Sequence, residues 1–337
     1  MALKLFKPYV SQSAKQMVLE VLNTDYLAEG VEVKQFEYEF GKKFNKKNPV
    51  AVNSGTSALE LAYDLAGLRK GDEVITPVLT CTATNIPLVR RGVKIVFADI
   101  DYDLNINVED VKRKLTPRTK AIVFVHFGGN NRGLREIIQL GKERKITVIE
   151  DAAQAVGSLY WGHADYCAVS LQAIKTLTTG DGGFLLCREE RDRAKAKRLR
   201  WFGYDREEKQ RKGDTDLTEA GYKYHMNNIS AAIGRGNLKE IDTVLNHRGK
   251  LAEIYRANGM FAHAWLAGKI GEMPVDAPFE VGRHHYRNDK YTLFKSFKTH
   301  CPVMDELENK YFFVPYHHGV SEEDAIKICN TINQTSS

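Results

Sequence analysis

The sequence predicts an α/β protein, and three observations carry that prediction. Short apolar runs rich in β-branched residues alternate with helical stretches from Pro49 to Glu150, the form of a mostly parallel sheet covered by helices. Two helices precede this alternation. Glycine, hydroxyl and carboxylate residues then follow directly on several of the apolar runs, where an open sheet of this kind binds its ligands.

The leading helices are read from Met17, Val18, Val21 and Leu22, then Val33, Phe36, Phe40 and Phe44, with Gly30 breaking the spacing between them. Strands are expected at 49–52, 73–76, 94–97, 121–126 and 147–150, with helices at 56–68, 83–90 and 134–145. The rhythm then changes. Runs 168–171 and 183–187 flank the polar turn Thr178-Thr179-Gly180-Asp181-Gly182, which reads as two strands joined by a tight connection. A charged helix at 191–200, a loop around 203–216 and one helix over 228–245 follow. Signals weaken from His247 onward, and residues 331–337 read as a frayed tail.

Composition narrows the function classes. A chain of 337 residues holds a large core and more than one small module. The net charge of +6, from 49 basic and 43 acidic residues, is spread through the sequence, which argues against a nucleic-acid partner. Cys81, Cys167, Cys187, Cys301 and Cys329 are widely separated and odd in number. They signal neither a disulfide framework nor a metal site, and they fit a reducing, cytoplasmic setting. No apolar run is long enough for a signal peptide or a membrane helix, so a soluble protein is expected.

Three segments hold residues suited to chemistry. Asn53-Ser54-Gly55-Thr56-Ser57-Ala58-Leu59 sits where a strand hands over to a helix. Its free N–H groups and hydroxyls, Ser57 among them, suit a phosphate, while helix capping explains the same residues. Asp151, in Glu150-Asp151-Ala152-Ala153-Gln154, follows a strand at the ligand-binding end, where a cap or surface charge is the alternative. Lys175 stands between two apolar strands, with no other lysine or arginine from Trp161 to Cys187. An ordinary lysine is a solvated surface charge, and this isolation sets Lys175 apart.

In this order the three segments resemble the DegT/DnrJ/EryC1/StrS family of sugar aminotransferases, which depend on pyridoxal phosphate and have the type I, aspartate-aminotransferase fold. The pairing of Glu-Asp-Ala-Ala-Gln with Lys175-x-x-Thr-Thr-Gly-Asp-Gly-Gly is its most specific element. Gly71-Asp72-Glu73-Val74-Ile75-Thr76-Pro77, Ala98-Asp99-Ile100-Asp101, and Gly221-Tyr222-Lys223-Tyr224-His225-Met226 ahead of Ala231-Ala232-Ile233-Gly234 extend it. The likeness runs from about residue 8 to 245 and fades in the last third.

The resemblance implies a large domain, residues 1–245, with a seven-stranded mostly parallel sheet, and a small C-terminal α+β domain, residues 246–337. It implies that Lys175 carries pyridoxal phosphate as a Schiff base and moves a proton, and that Asp151 keeps the pyridine nitrogen protonated. Gln154 would bond the ring hydroxyl, and Gly55, Thr56, Ser57 and Ser170 would cradle the phosphate. Two positions depart from the family's pattern. Cys81 stands where an aromatic ring often stacks on the cofactor, and Lys223 where an asparagine often reaches the phosphate of a partner subunit. His285, Tyr286 and His317 fall where the family places sugar-nucleotide contacts, and no metal ligand set is indicated. The implied reaction passes the amino group of L-glutamate to a nucleotide-linked keto-sugar, an NDP-4-keto-6-deoxyhexose by preference, in a homodimer. The alternatives are amination of a cyclitol or other ketone, or a degenerate cofactor-binding homologue without catalysis. A family branch of sugar dehydratases has histidine at the lysine position, and Lys175 argues against it.

Overall fold

The computed structural model describes residues 2–213 and 215–334. Helices α1 (Gln12–Leu22) and α2 (Val31–Phe44) lead into the sheet. The Ser11 hydroxyl caps α1 by accepting the Ala14 N–H at 2.9 Å. The alternating region then runs β1 (Pro49–Val52), α3 (Gly55–Leu65), β2 (Glu73–Pro77), α4 (Thr82–Arg90), β3 (Lys94–Ala98), α5 (Val108–Lys114), β4 (Thr119–Val125), α6 (Leu134–Arg144) and β5 (Thr147–Asp151). Next come β6 (Tyr166–Ser170) and β7 (Gly183–Cys187), completing a seven-stranded sheet of order β1-β7-β6-β5-β4-β2-β3. β7 pairs antiparallel with both β1 and β6, and the remaining pairs are parallel. Every residue of β2 and β7 is buried, as expected of strands covered on both faces.

Several local expectations need correction. β6 and β7 are antiparallel neighbours, but residues 171–182 between them form a long loop that holds Lys175, not a tight hairpin. The two apolar strands supply the pairing without a short turn. Residues 203–216 include a helix, α8 (Arg206–Lys212). Asp205 caps it by accepting the Glu208 N–H at 3.0 Å, a cap hidden by the charged composition around it. The helix expected at 228–245 is two helices, α9 (Asn228–Lys239) and α10 (Ile241–Ala257), divided at Glu240. α10 therefore passes through position 245 without a break.

Beyond α10 a three-stranded antiparallel sheet forms from β8 (Phe261–Ala262), β9 (Ala267–Ile270) and β10 (Tyr311–Val314), in the order β10-β9-β8. α11 (Pro302–Leu307) precedes β10, and α12 (Glu322–Gln334) ends the described chain. The tail at 331–337 was expected to fray; 331–334 belong to α12, and 335–337 lie outside the described residues. Leu251 and Tyr255 of α10, Phe312 and Val314 of β10, and Ile328 and Ile332 of α12 share one buried cluster. The N-terminal segment crosses this part of the protein. Leu3 bridges to Phe279, and the Leu5 N–H donates to Glu280 Oε2 at 2.9 Å.

A pair of glycines lets the smaller sheet pack closely against the larger. The turn between β8 and β9 lays its backbone on a glycine pair, with the Trp265 N–H donating to the Gly128 carbonyl at 2.8 Å. Gly129 has φ +92°, and a Cβ there would stand 2.7 Å from Ala264 Cβ and 2.8 Å from the Gln154 carbonyl. Glycine is what this approach requires. No helix among the described residues is long and apolar enough to cross a membrane.

Candidate active site

The site begins with the two-residue period of a strand. On β5, Glu150 and Asp151 point to opposite faces of the sheet. Glu150 is fully buried and accepts the N–H groups of Gly162, His163 and Ala164 at 2.6–2.7 Å, with His126 Nε2 at 2.8 Å. His126, which ends the expected β4 run, is thus a buried partner of Glu150. Asp151 faces a cavity of about 340 Å³. Its Oδ2 accepts the Thr84 hydroxyl at 2.7 Å and its Oδ1 accepts the Ala153 N–H at 3.1 Å. Thr84 is in turn bonded to Thr80 at 2.9 Å, so α4 fixes the carboxylate from one side.

The N-terminus of α3 enters the same cavity. Ser54 caps it through the Ser57 N–H at 3.0 Å, which leaves the N–H groups of Gly55 and Thr56 without an intrahelical acceptor. Gly55 lies close against β6, where a Cβ would meet Ser170 Cβ at 2.8 Å. The missing side chain lets α3 approach β6 closely, so that Gly55, Thr56 and Ser170 border one cavity.

Lys175 comes in from the β6–β7 loop. Its Nζ is 3.8 Å from the centroid of the Trp265 ring, and no carboxylate forms an ion pair with it among the described residues. The amine end is surrounded by side chains while the residue borders the open cavity. Burial holds its pKa down to about 8, opposed by the charge of Asp151 and by Cys81. His284 and His285 complete the wall. Burial, with a smaller push from Lys175, brings His284 down to about 4. Burial, His284 and Lys175 together keep His285 well below the ordinary histidine range. Both rings are therefore neutral beside the lysine.

Of the residues singled out from sequence, Gly55, Thr56, Cys81, Asp151, Gln154, Ser170, Lys175 and His285 all border this cavity. Gln154 is held by the Gly128 N–H at 2.6 Å and reaches His285 Nε2 at 3.0 Å. Burial raises the pKa of the Cys81 thiol, so it presents a neutral, polarizable group to the cavity.

Four residues stand elsewhere. The Ser57 hydroxyl is buried in the cap, donating to Asn53 Oδ1 at 2.6 Å, so it is a structural hydroxyl and not part of the cradle. His317 is also displaced, because its Nε2 meets the Lys4 carbonyl at 2.9 Å and its Nδ1 accepts the Gly319 N–H at 3.1 Å. Both ring nitrogens are spent on backbone. Tyr286 is exposed beyond the cavity wall, since the chain turns outward after His285. Lys223 is exposed outside its own chain's cavity. Tyr222 and Tyr224 on either side of it stack on each other at 4.5 Å, and Tyr224 bonds Glu60 of α3.

A sequence model of the DegT/DnrJ/EryC1/StrS aminotransferase family matches residues 8–263. The chain belongs to that family. It is a pyridoxal-phosphate-dependent aminotransferase, with the fold of the sugar aminotransferases. Spore coat polysaccharide biosynthesis protein SpsC of Bacillus subtilis is 36% identical over 333 residues, covering 92% of this chain and 82% of that protein. UDP-4-amino-4-deoxy-L-arabinose–oxoglutarate aminotransferase of Shewanella sediminis is 34% identical over 292 residues, covering 84% and 74%. Among solved structures, sugar aminotransferase CalS13 from Micromonospora echinospora matches with a TM-score of 0.86 at 28% identity, over 98% of this chain and 99% of that one.

The family's cofactor fits the residues present. The cavity offers an amine at Lys175, a carboxylate fixed by Thr84, and unpaired N–H groups at the helix end where a phosphate is stabilised. The residues missed from sequence are Thr84, Phe6 and Trp265. Phe6 stacks on Trp265 at 5.2 Å and both rings flank His284. Only the His284-His285 pair offered a local signal.

Proposed function

We propose that the chain transfers the amino group of L-glutamate to the keto carbon of a nucleotide-linked sugar, an NDP-4-keto-6-deoxyhexose by preference. The observation that carries this reading is the convergence of Lys175, Asp151 and the α3 N-terminus on one cavity. The Shewanella sediminis relative is named for a UDP-linked 4-amino sugar and for oxoglutarate, which supports both the acceptor class and the donor.

Bound pyridoxal phosphate supplies an electrophilic carbon and a protonatable ring that takes up the electron pair freed at the substrate carbon. The chain's residues do the rest. Gly55, Thr56 and Ser170 hold the phosphate through N–H and hydroxyl donors. Asp151 holds a proton on the pyridine nitrogen by favouring its charged form, and its bond from Thr84 keeps the carboxylate in place. Gln154, its Oε1 engaged by Gly128, has a second amide proton for the ring hydroxyl. Lys175 moves the proton at the substrate carbon, and an amine with a pKa of about 8 has a useful neutral fraction for that task. His285 faces the acceptor as a neutral ring.

The working unit in this reading is a homodimer. Lys175 is the only lysine or arginine bordering the cavity among the described residues, while Lys223 is exposed and available to a partner's phosphate as a point charge.

The test is the absorbance spectrum of the cofactor-loaded protein. In the wild type, L-glutamate should bleach the visible band with release of 2-oxoglutarate, and an NDP-4-keto-6-deoxyhexose should restore it. Lys175→Ala should show no such cycle. A band that glutamate leaves unchanged would reject the donor, and one that no keto-sugar nucleotide restores would reject the acceptor class.

A further inference from the structure

A second cavity, of about 400 Å³, opens between α10, the segment 129–131, the segment 157–159 and the β8–β9 turn. None of its lining residues borders the cavity of Lys175. Arg248 projects into it from α10 and is 6% exposed. One guanidinium hydrogen bond is made among the described residues, from Nη1 to the Trp265 carbonyl at 3.2 Å. The Tyr316 ring lies under the cation at 5.0 Å, and the Nε–H has no partner.

This arrangement differs from the protein's other buried arginines. Arg200 is paired with Glu29 and Glu37, and Arg287 with Asp289 and Asp305. Burial lowers the pKa of Arg248 to about 10, with only Tyr316 opposing it, whereas the carboxylates raise those of Arg200 and Arg287. No aspartate or glutamate among the described residues lines the cavity, and Arg256 at its exposed rim bonds the Ala262 carbonyl. A buried guanidinium without a counter-charge is costly. An anion in the cavity would remove that cost.

The geometry points to a binding site for a small organic carboxylate at the guanidinium of Arg248. A planar guanidinium matches the two oxygens of a carboxylate. One buried cation balances one negative charge; the second cation of the lining, Arg256, stands at the exposed rim with its guanidinium engaged by the Ala262 carbonyl, so the second charge of a phosphate dianion has no buried counterpart among the described residues. Leu245, Ala252 and Ala264 give the remainder of the ligand an apolar wall. The site is one residue removed from the lysine, because Arg248 holds the carbonyl of Trp265 and the Trp265 ring carries the Lys175 amine.

Gly249 allows a direct test. It lines the cavity, and a Cβ added there meets nothing within 4 Å, so Gly249→Leu fills the space from an open position on the helix. The thermal midpoint of the cofactor-loaded protein would be followed in sodium acetate against sodium chloride at equal ionic strength, with sodium phosphate as a third series. The wild type should rise with acetate to a plateau, since a ligand that binds only the folded state stabilises it by mass action. Gly249→Leu should be at least as stable in chloride, since leucine favours a helix interior over glycine, and flat in acetate. A wild type without a saturable acetate response, or a Gly249→Leu variant that responds as the wild type does, overturns the site. Saturation by phosphate with none by acetate overturns the carboxylate assignment.

Discussion

The amine of Lys175 rests 3.8 Å from the centre of the Trp265 ring, although one residue comes from the large-sheet loop and the other from the tip of the small sheet. The indole is held in place by its own Nε1–H, which donates to the Ile174 carbonyl at 3.1 Å, and by the stacked ring of Phe6 at 5.2 Å. A cation over an indole face is stabilised by the ring's quadrupole. Burial works against that same charge, and it outweighs the attraction of Asp151 and Cys81, so the lysine's pKa lies at about 8, below the ordinary 10.5.

The pH dependence of Lys175 follows from this shift. In cofactor-free protein, competitive acylation of Lys175, read by mass spectrometry, should be half-maximal near pH 8. The neutral amine is the reactive form, so labelling falls as pH drops below that point and rises to a plateau above it. The folded state also favours the neutral amine, so this residue's cost to stability is full below about pH 8 and is relieved as pH rises toward 10.5. A labelling midpoint near 10.5 would contradict the buried placement.

Trp265→Ala should destabilise the protein by about 3–5 kcal/mol, the usual cost of removing a large buried aromatic side chain. The residue is 1% exposed and bonded at its N–H, carbonyl and indole nitrogen. Urea unfolding measures this directly, and a change below 1 kcal/mol would show that the two sheets dock independently of the indole.

Thr84→Val removes the hydroxyl that donates to Asp151 Oδ2. A hydrogen bond to a charged group contributes about 1.5–3 kcal/mol, so stability should fall by that order and cofactor affinity should fall with it. Unfolding and cofactor titrations on the same variant test both. Affinity equal to that of the wild type would mean that Asp151 is oriented without Thr84.

Gly55→Ala sets a methyl group 2.8 Å from Ser170 Cβ at the mouth of the phosphate cradle. Overpacking of this kind costs about 1–3 kcal/mol, and each 1.4 kcal/mol is roughly tenfold in affinity. Cofactor binding should weaken accordingly, as a cofactor titration of the variant would measure. Binding as tight as in the wild type would place the phosphate elsewhere.

The α/β class and most strand positions were legible in the residues, because apolar periodicity and strand-to-helix junctions are local patterns. The strand read at 49–52 matches β1, and the helix read from residue 134 begins where α6 does. The failures had local causes as well. The α8 cap at Asp205 was lost among charges, and Glu240 interrupts a helix without a glycine or proline to announce it.

Lys175 stood out by its isolation between two apolar strands, while Asp151 and the Gly55-Thr56 turn had helix capping or surface charge as alternatives; their roles, and that of Gln154, rested on the resemblance to the family. Their meeting in one cavity is a property of the sheet, whose strand ends bring distant segments together. Thr84 beneath Asp151, Trp265 beneath Lys175, and the lack of a counter-charge at Arg248 had no sequence signal. Each is a relation between residues far apart in the chain, and only packing decides which side chains face one another. His317 and Ser57 show the converse: their residue types suited a ligand, but backbone groups brought close by the fold had already taken their hydrogen bonds.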